Sequence, residues 1–246
     1  MRSRIIYTLS IFIILITLGC ATRAPYNPLK ISKEDFKSNI KTIALAPITI
    51  PEEVDKLKQQ QIKVKFESLI ESKFRASGYV IIPSREFADI SERLIKESGG
   101  FFDPTTGKRD EEKFKAAKEK TFREMQAKFK ADAVLKSSII VRQIHFYKNR
   151  AIWDGVDESV APVKAVERFF TGQFDGIVPV LSFIVGIYDL NDIPLYTNIG
   201  GIQVLKRLSR GLIYVELLPI NESEILTQEE KNIKAVDIVL NPLLKD

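Results

Sequence analysis

The one cysteine of this 246-residue chain, Cys20, stands where an apolar run ends, and that placement limits how the chain can fold. A single thiol can form no intramolecular disulfide, so a domain built from this sequence must be held by its buried core. Upstream, Met1-Arg2-Ser3-Arg4 is basic and Ile5 to Leu18 is an uncharged, largely apolar stretch of 14 residues. That order is the layout of a secretory leader. The run falls short of the roughly 20 residues that span a bilayer as a helix. A cleaved leader over residues 1–19 is therefore expected, in preference to a retained membrane anchor.

The segment Ile16-Thr17-Leu18-Gly19-Cys20 resembles the lipobox of bacterial lipoproteins. The commonest form places Leu three residues before the cysteine and Ala or Ser two before it. Thr17 and Leu18 hold those places here, as looser versions allow. The resemblance implies that Cys20 becomes the first residue of the mature protein and carries acyl chains, which anchor it in a membrane. Two or more chains suffice for stable anchoring. By the same resemblance, Ala21 in place of Asp favours the outer membrane, with the domain facing the periplasm; in a monoderm bacterium it would be the cell membrane.

Removing residues 1–19 leaves 227, enough for one large domain or two small ones. Hydrophobic residues make up 45% and charged residues 28% of the chain, a globular composition. Without Arg2 and Arg4 the net charge of +5 falls to about +3. That is no argument for a nucleic-acid partner, and it suits a protein held near anionic lipid or cell-wall polymer. Residues 20–38, with Pro25 and Pro28, are expected to be a lipidated N-terminus and flexible tether. Residues 39–246 are expected to form a single domain.

Apolar periodicity divides that domain. Thr42-Ile43-Ala44-Leu45-Ala46-Pro47 predicts a strand ended by proline. Pro51-Glu52-Glu53 predicts a helix start, and Ile62, Phe66, Leu69, Ile70 and Phe74 predict its buried stripe, ended by Gly78. Tyr79 to Ile82 predicts a second strand, and Ser84 a cap for the next helix. Glu111 to Lys130 predicts a further helix, and Ala133 to Tyr147 a long strand. Val178 to Tyr188 and Leu195 to Leu205 predict strands joined by a turn at Asp189 to Asp192. Thr227 and Glu230 predict a capping box for a last helix. The order predicts an α/β fold, a mixed β-sheet with helices packed on it.

Lys41-Thr42-Ile43-Ala44-Leu45-Ala46-Pro47 and Gly78-Tyr79-Val80-Ile81-Ile82-Pro83, with a helix between them, resemble the opening of several lipid-anchored envelope proteins. These are the curli secretion lipoprotein, the lipoprotein activators of penicillin-binding proteins, and in plan the amino-terminal domain of TolB. Ala131-Asp132-Ala133-Val134 also fits. The resemblance covers about half the mature chain and implies binding or assembly in the envelope. It supplies no catalytic residue, and one fold hosts many functions.

Spacing rules out two ligand-binding loops. Between Gly100 and the pair Gly107-Lys108 six residues intervene where a phosphate loop needs four, and Arg109 stands where Ser or Thr belongs. As a calcium loop from Asp103, the stretch puts Phe114 where the bidentate Glu is required. No cofactor and no metal site are expected. Phe101 and Phe102 flank a polar turn and are candidate partner anchors. Trp153 beside Arg150 is either a binding rim or a ring packed on the sheet over an Asp154-Gly155 turn. Phe169 and Phe170 are further docking candidates. His145, the one histidine, is expected to decorate a strand. The functional expectation is a noncatalytic outer-membrane lipoprotein that binds an envelope protein or cell-wall component. The alternatives are a tethered hydrolase centred on His145 and a self-assembling ring, a homo-oligomer.

Growth with an alkyne-tagged fatty acid tests the leader. The wild-type protein is expected to take up the tag, and Cys20→Ala to take up none.

Overall fold

The computed structural model describes residues 26–52, 54–103, 105–161, 172–210 and 215–245. In chain order its elements are α1 (Lys33–Asn39), β1 (Thr42–Leu45), α2 (Lys56–Ala76), β2 (Val80–Ile82), α3 (Ser84–Glu97) and α4 (Glu111–Phe129). Then come β3 (Ala133–Tyr147), β4 (Arg150–Trp153), β5 (Val156–Ser159), β6 (Gly176–Asp189) and β7 (Pro194–Val204). β8 (Lys206–Arg210), β9 (Val215–Pro219) and α5 (Glu229–Leu244) complete the chain.

The expected mixed α/β architecture is what the chain forms: a seven-stranded sheet with helices on it, plus the two-stranded ribbon β8–β9. β1 lies parallel between β2 and the first residues of β3. β6 pairs antiparallel along nearly all of β3, from Ala133↔Asp189 to Phe146↔Gly176, and β7 pairs antiparallel with β6. On its other edge the far end of β3 pairs with β4 of the β4–β5 hairpin.

Side chains alternate across a strand, so β3 builds two cores at once. Ala133, Leu135 and Ile139 join Phe183, Val185 and Ile187 of β6 under α1, α2 and α5. Val134 joins Ala44 and Ile82 on the opposite face, under Ile90 and Leu94 of α3 and Phe122 and Met125 of α4. A third cluster, with Trp153, Val178, Val180 and Leu208, fills the curl where β4–β5 folds over towards β7.

Two local features fix the main layer. α2 ends at Gly78, whose φ of 86° lets Tyr79 N–H reach back to the Phe74 carbonyl at 3.1 Å and Gly78 N–H to that of Arg75 at 3.0 Å. The Phe74 and Tyr79 rings then meet edge-on at 5.5 Å. α5 lies so close to β7 that a Cβ on Gly200 would come within 2.5 Å of the Ala235 carbonyl oxygen. Pro242 inside α5 has no N–H to give the Ile238 carbonyl. Asn198 supplies it, donating through Nδ2 to the Ile238 and Val239 carbonyls at 3.1 Å each, and the Tyr196 hydroxyl also donates to Val239. Burial pushes the Tyr196 phenol up to about 12.

Several expectations on boundaries are corrected. Residues 26–38 are part of the domain, not tether. Leu29 bridges to Tyr196, Lys30 N–H donates to the Leu195 carbonyl at 2.9 Å, and Phe36 on α1 is fully buried. Ser32 caps α1, accepting from Asp35 N–H at 3.0 Å. A single large ring among scattered charges was too weak a periodic signal to reveal so short a helix. α2 starts at Lys56, not at Pro51. Ser84 is inside α3 and donates to Glu67 at 2.6 Å instead of capping. α5 has Gln228 at its N-cap, because Thr227 donates to the Glu224 carbonyl at 3.1 Å and leaves the expected capping box unmade. No described helix is long and apolar enough to cross a membrane.

Phe36→Ala tests where the domain begins. Loss of a fully buried ring is expected to cost about 3–5 kcal/mol in urea unfolding. A tether residue would cost nothing.

Candidate functional site

Between α3, α4 and the sheet lies an open groove of about 370 Å³. Its base is the chain just after β1, Ala46 to Thr49, which runs on beside β3: Ala46 N–H donates to the Leu135 carbonyl at 2.8 Å and Thr49 N–H to that of Ser137 at 3.1 Å. Its walls are the rings of Phe87, Phe101, Phe114 and Phe122. Phe87 and Phe122 meet edge-on at 6.3 Å, which closes the α3–α4 seam beneath the groove.

The loop before α4 supplies the outer wall. Asp103 accepts from Thr105 and Thr106 N–H at 2.8 Å each, and these bonds lower its carboxyl pKa. Asp103 N–H donates to the Lys108 carbonyl at 2.9 Å, and Asp110 N–H to that of Phe101 at 2.6 Å, so the loop closes on itself. Asp110 then caps α4, accepting from Lys113 N–H at 3.0 Å. This closure turns Phe101 inward, edge-on to Phe114 at 5.5 Å, while the Arg109 guanidinium lies 4.3 Å from the Phe114 ring centre. Phe102 points outward and is 66% exposed.

Charge enters the groove from one side. Lys118 of α4 and Lys136 of β3 both line it, and both bind the Asp192 carboxylate at 2.6 Å. The Lys136 ammonium also sits 4.3 Å from the Tyr188 ring centre and 5.1 Å from that of Phe122. Asp192 occupies the β6–β7 turn with φ at 65°, and Asp189 holds that turn by accepting from Asn191 and Ile193 N–H. Desolvation raises the Asp192 carboxyl, but the hydrogen bonds and charges of the two lysines outweigh it and hold the group below its ordinary value. Among the described residues, no histidine, cysteine or carboxylate lines the groove. What the arrangement offers is an apolar seat with cationic side chains at one lip.

Of the described residues expected to form a site, the groove takes in Phe101 alone. Phe102 stands outside it. Arg150 is on β4 at the far end of β3, paired with Asp157 at 2.8 Å. Trp153 is 5% exposed, donates to the Leu181 carbonyl at 3.4 Å and abuts Gly201, so it is a packed ring and no binding rim. Its hairpin is pinned through Asp154, which accepts from Arg142 at 2.6 Å and Ser182 at 2.7 Å. His145 lies exposed on β3, opposite Ile177. Cys20, Phe169 and Phe170 fall outside the described residues. Among the described residues there is no cluster of three or more His, Cys, Asp or Glu side chains suited to a metal ion. Sequence reasoning missed Lys118, Lys136 and Asp192, because lysines in a charged helix and a strand give no sign that they share one carboxylate.

No protein-family model matches the chain, and no curated protein matches it. Solved structures similar to it include the PelC dodecamer from Paraburkholderia phytofirmans, at 11% identity and a TM-score of 0.36 over 89% of this chain and 96% of that one. A point variant of the same PelC gives 11% identity and 0.35 over 90% and 96%. A neuraminyllactose-binding hemagglutinin homolog from Helicobacter pylori gives 11% identity and 0.35 over 89% and 91%. Scores of this size carry no argument about what the chain does.

The Asp192 cluster predicts a pH dependence. Its folded pKa is lowered, so ionised Asp192 adds stability above the unfolded value of about 4, and the gain is lost as pH falls through the folded value. The stability gap between wild type and Asp192→Asn is expected to be full at pH 7 and to narrow below pH about 4. Urea unfolding across that range measures it; a gap that does not change with pH contradicts the assignment.

Proposed function

We propose that this chain is a lipid-anchored envelope protein that works by binding, and that it seats an extended segment of an envelope protein in the groove between α3 and α4. Cys20 supplies the anchor, and the outer membrane, periplasmic face, is its place. The observation that carries the reading is the groove itself: an apolar trough walled by Phe87, Phe101, Phe114 and Phe122, with Lys118 and Lys136 along one side. Such walls accept an aromatic or branched aliphatic side chain, and the two lysines, which share the single Asp192 carboxylate, leave a net positive lip that favours a carboxylate next to it. Aromatic pockets of this kind supply most of the energy in small interfaces.

A photo-crosslinking residue placed at position 101 in cells tests the proposal, with position 234 on the exposed side of α5 as the reference. A protein captured from 101 and not from 234 is the expected result. Phe101→Ala is expected to reduce capture of that protein, probed from position 91, about tenfold, and Phe102→Ala to leave it unchanged. Identical captures from positions 101 and 234 would refute the groove.

A further inference from the structure

The length of chain between Cys20 and the domain singles out one end of the sheet. Residues 26–29 run antiparallel to β7: Leu29 bridges to Tyr196, Thr197 N–H donates to the Pro28 carbonyl at 3.0 Å, and the Tyr26 hydroxyl donates to the Thr197 carbonyl at 2.6 Å. Thr197 is level with Gly186 of β6 and Lys136 of β3. From that level the β6–β7 turn is three residues away, about 10 Å. The opposite end, where Tyr147, Ile152 and Ile177 are exposed, lies roughly 35 Å away. The six residues from Cys20 to Tyr26 span at most about 20 Å. A bilayer that holds Cys20 can therefore touch the turn end of the sheet and cannot touch the other.

What the turn end presents is basic. Lys30 N–H donates to the Leu195 carbonyl at the start of β7, and the Lys41 and Thr42 N–H groups donate to the Asp132 carboxylate, just before β3, at 2.8 Å each. α1 therefore crosses the strand ends from β7 to β1, with Phe36 buried beneath it. Lys30, Lys33, Lys37 and Lys41, against Glu34 and Asp35, leave this rim positive. Asp132, Asp189 and Asp192, at the same end, are engaged: Asp132 by the two N–H groups, Asp189 by those of its own turn and Asp192 by Lys118 and Lys136. Beside α1 opens a polar recess of about 460 Å³ lined by Lys37, Lys41, Ser77 and Tyr79. Apolar groups flank the lysines. Tyr26 is 65% exposed and Ile193, in the β6–β7 turn, 57%, and the Lys30 ammonium lies 5.8 Å from the Tyr26 ring centre.

We propose that this rim, α1 together with Tyr26, Lys30 and Ile193, is a membrane-contact surface seated on the anionic phospholipid headgroups of the leaflet that holds Cys20. The proposal rests on the lipid anchor proposed above. Attraction between lysines and anionic headgroups fades within about 10 Å at physiological salt, and the tether is short enough to bring the rim into that range. There Lys33, Lys37 and Lys41 meet phosphate, and the recess beside α1 admits it, while Tyr26 and Ile193 lie at headgroup level. The contact would also fix the domain's orientation. The strands lead away from the bilayer, the β4–β5 hairpin is farthest from it, and the lysine lip of the groove stays close to it.

Acylation of Cys20 makes an introduced cysteine the one free thiol, which gives a clean test. The full-length protein carrying Ile193→Cys at the rim, or Ile152→Cys at the far end as reference, is labelled with a fluorescent donor. It is placed in vesicles of phosphatidylethanolamine and phosphatidylglycerol that carry an energy acceptor on their headgroups. Both positions are exposed, so both variants are expected to fold. Transfer from 193 is expected to be several-fold stronger than from 152, which lies about 40 Å further along the sheet. Equal transfer from both, or stronger transfer from 152, would overturn the proposal. In vesicles of phosphatidylcholine alone the difference is expected to shrink. A difference that stays the same would mean that the tether alone orients the domain, and would overturn the headgroup contact. Intact mass reports acylation separately. An acylated chain that shows no difference loses this surface and keeps the anchor; a chain without acyl groups loses both.

Discussion

The structure depends on the pairing of β3 with β6. Fourteen consecutive residue pairs join them, so both strands are held straight enough to serve two sets of neighbours in succession. The first half of β3 takes β1 on its other edge and helices on both faces. The second half takes the β4–β5 hairpin and is left bare on one face. A shorter strand would give an ordinary three-layer domain. The extra length creates both the curl that buries Trp153 and the exposed apolar end.

The groove follows from the same geometry. α3 and α4 cover one face over β1 and β2 but stop short of β7, so the aromatic rings facing the sheet are not all sealed by it. Phe122 is fully buried, while Phe101 and Phe114 are only half-buried. The lysine pair is held at the lip by a carboxylate from the opposite edge of the same half-sheet. That cluster ties α4 to the β6–β7 turn, so a partner seated between the lysines and the rings would be felt on both elements.

Much of this was legible in the sequence. The long strand from Ala133 to Tyr147 was marked by its apolar runs, Val134-Leu135 and Ile139-Ile140-Val141, and Gly78, Lys130 and the Asp189–Asp192 turn marked ends that the backbone keeps. Trp153 over an Asp154-Gly155 turn was one of two readings, and packing chose it. What failed was local chemistry with competing partners. Thr227 and Ser84 found other hydrogen bonds, and Phe36 made a helix out of a stretch that composition marked as tether. Tertiary burial overrides weak local signals, and a short polar helix carries only weak ones. The site was less legible than the fold. Phe101 and Phe102 are adjacent and chemically alike, and only the closure of their loop decides that one faces the groove and the other faces water.

The central proposal is that the chain is an envelope protein and that its groove is occupied there. Amide hydrogen exchange, followed on the protein in isolated envelopes and again after purification in detergent, measures this directly. The account predicts that Phe101 to Arg109 and the first turns of α4 exchange more slowly in the envelope, while α2 and β6 are unchanged. Equal exchange of the loop in both settings would contradict it.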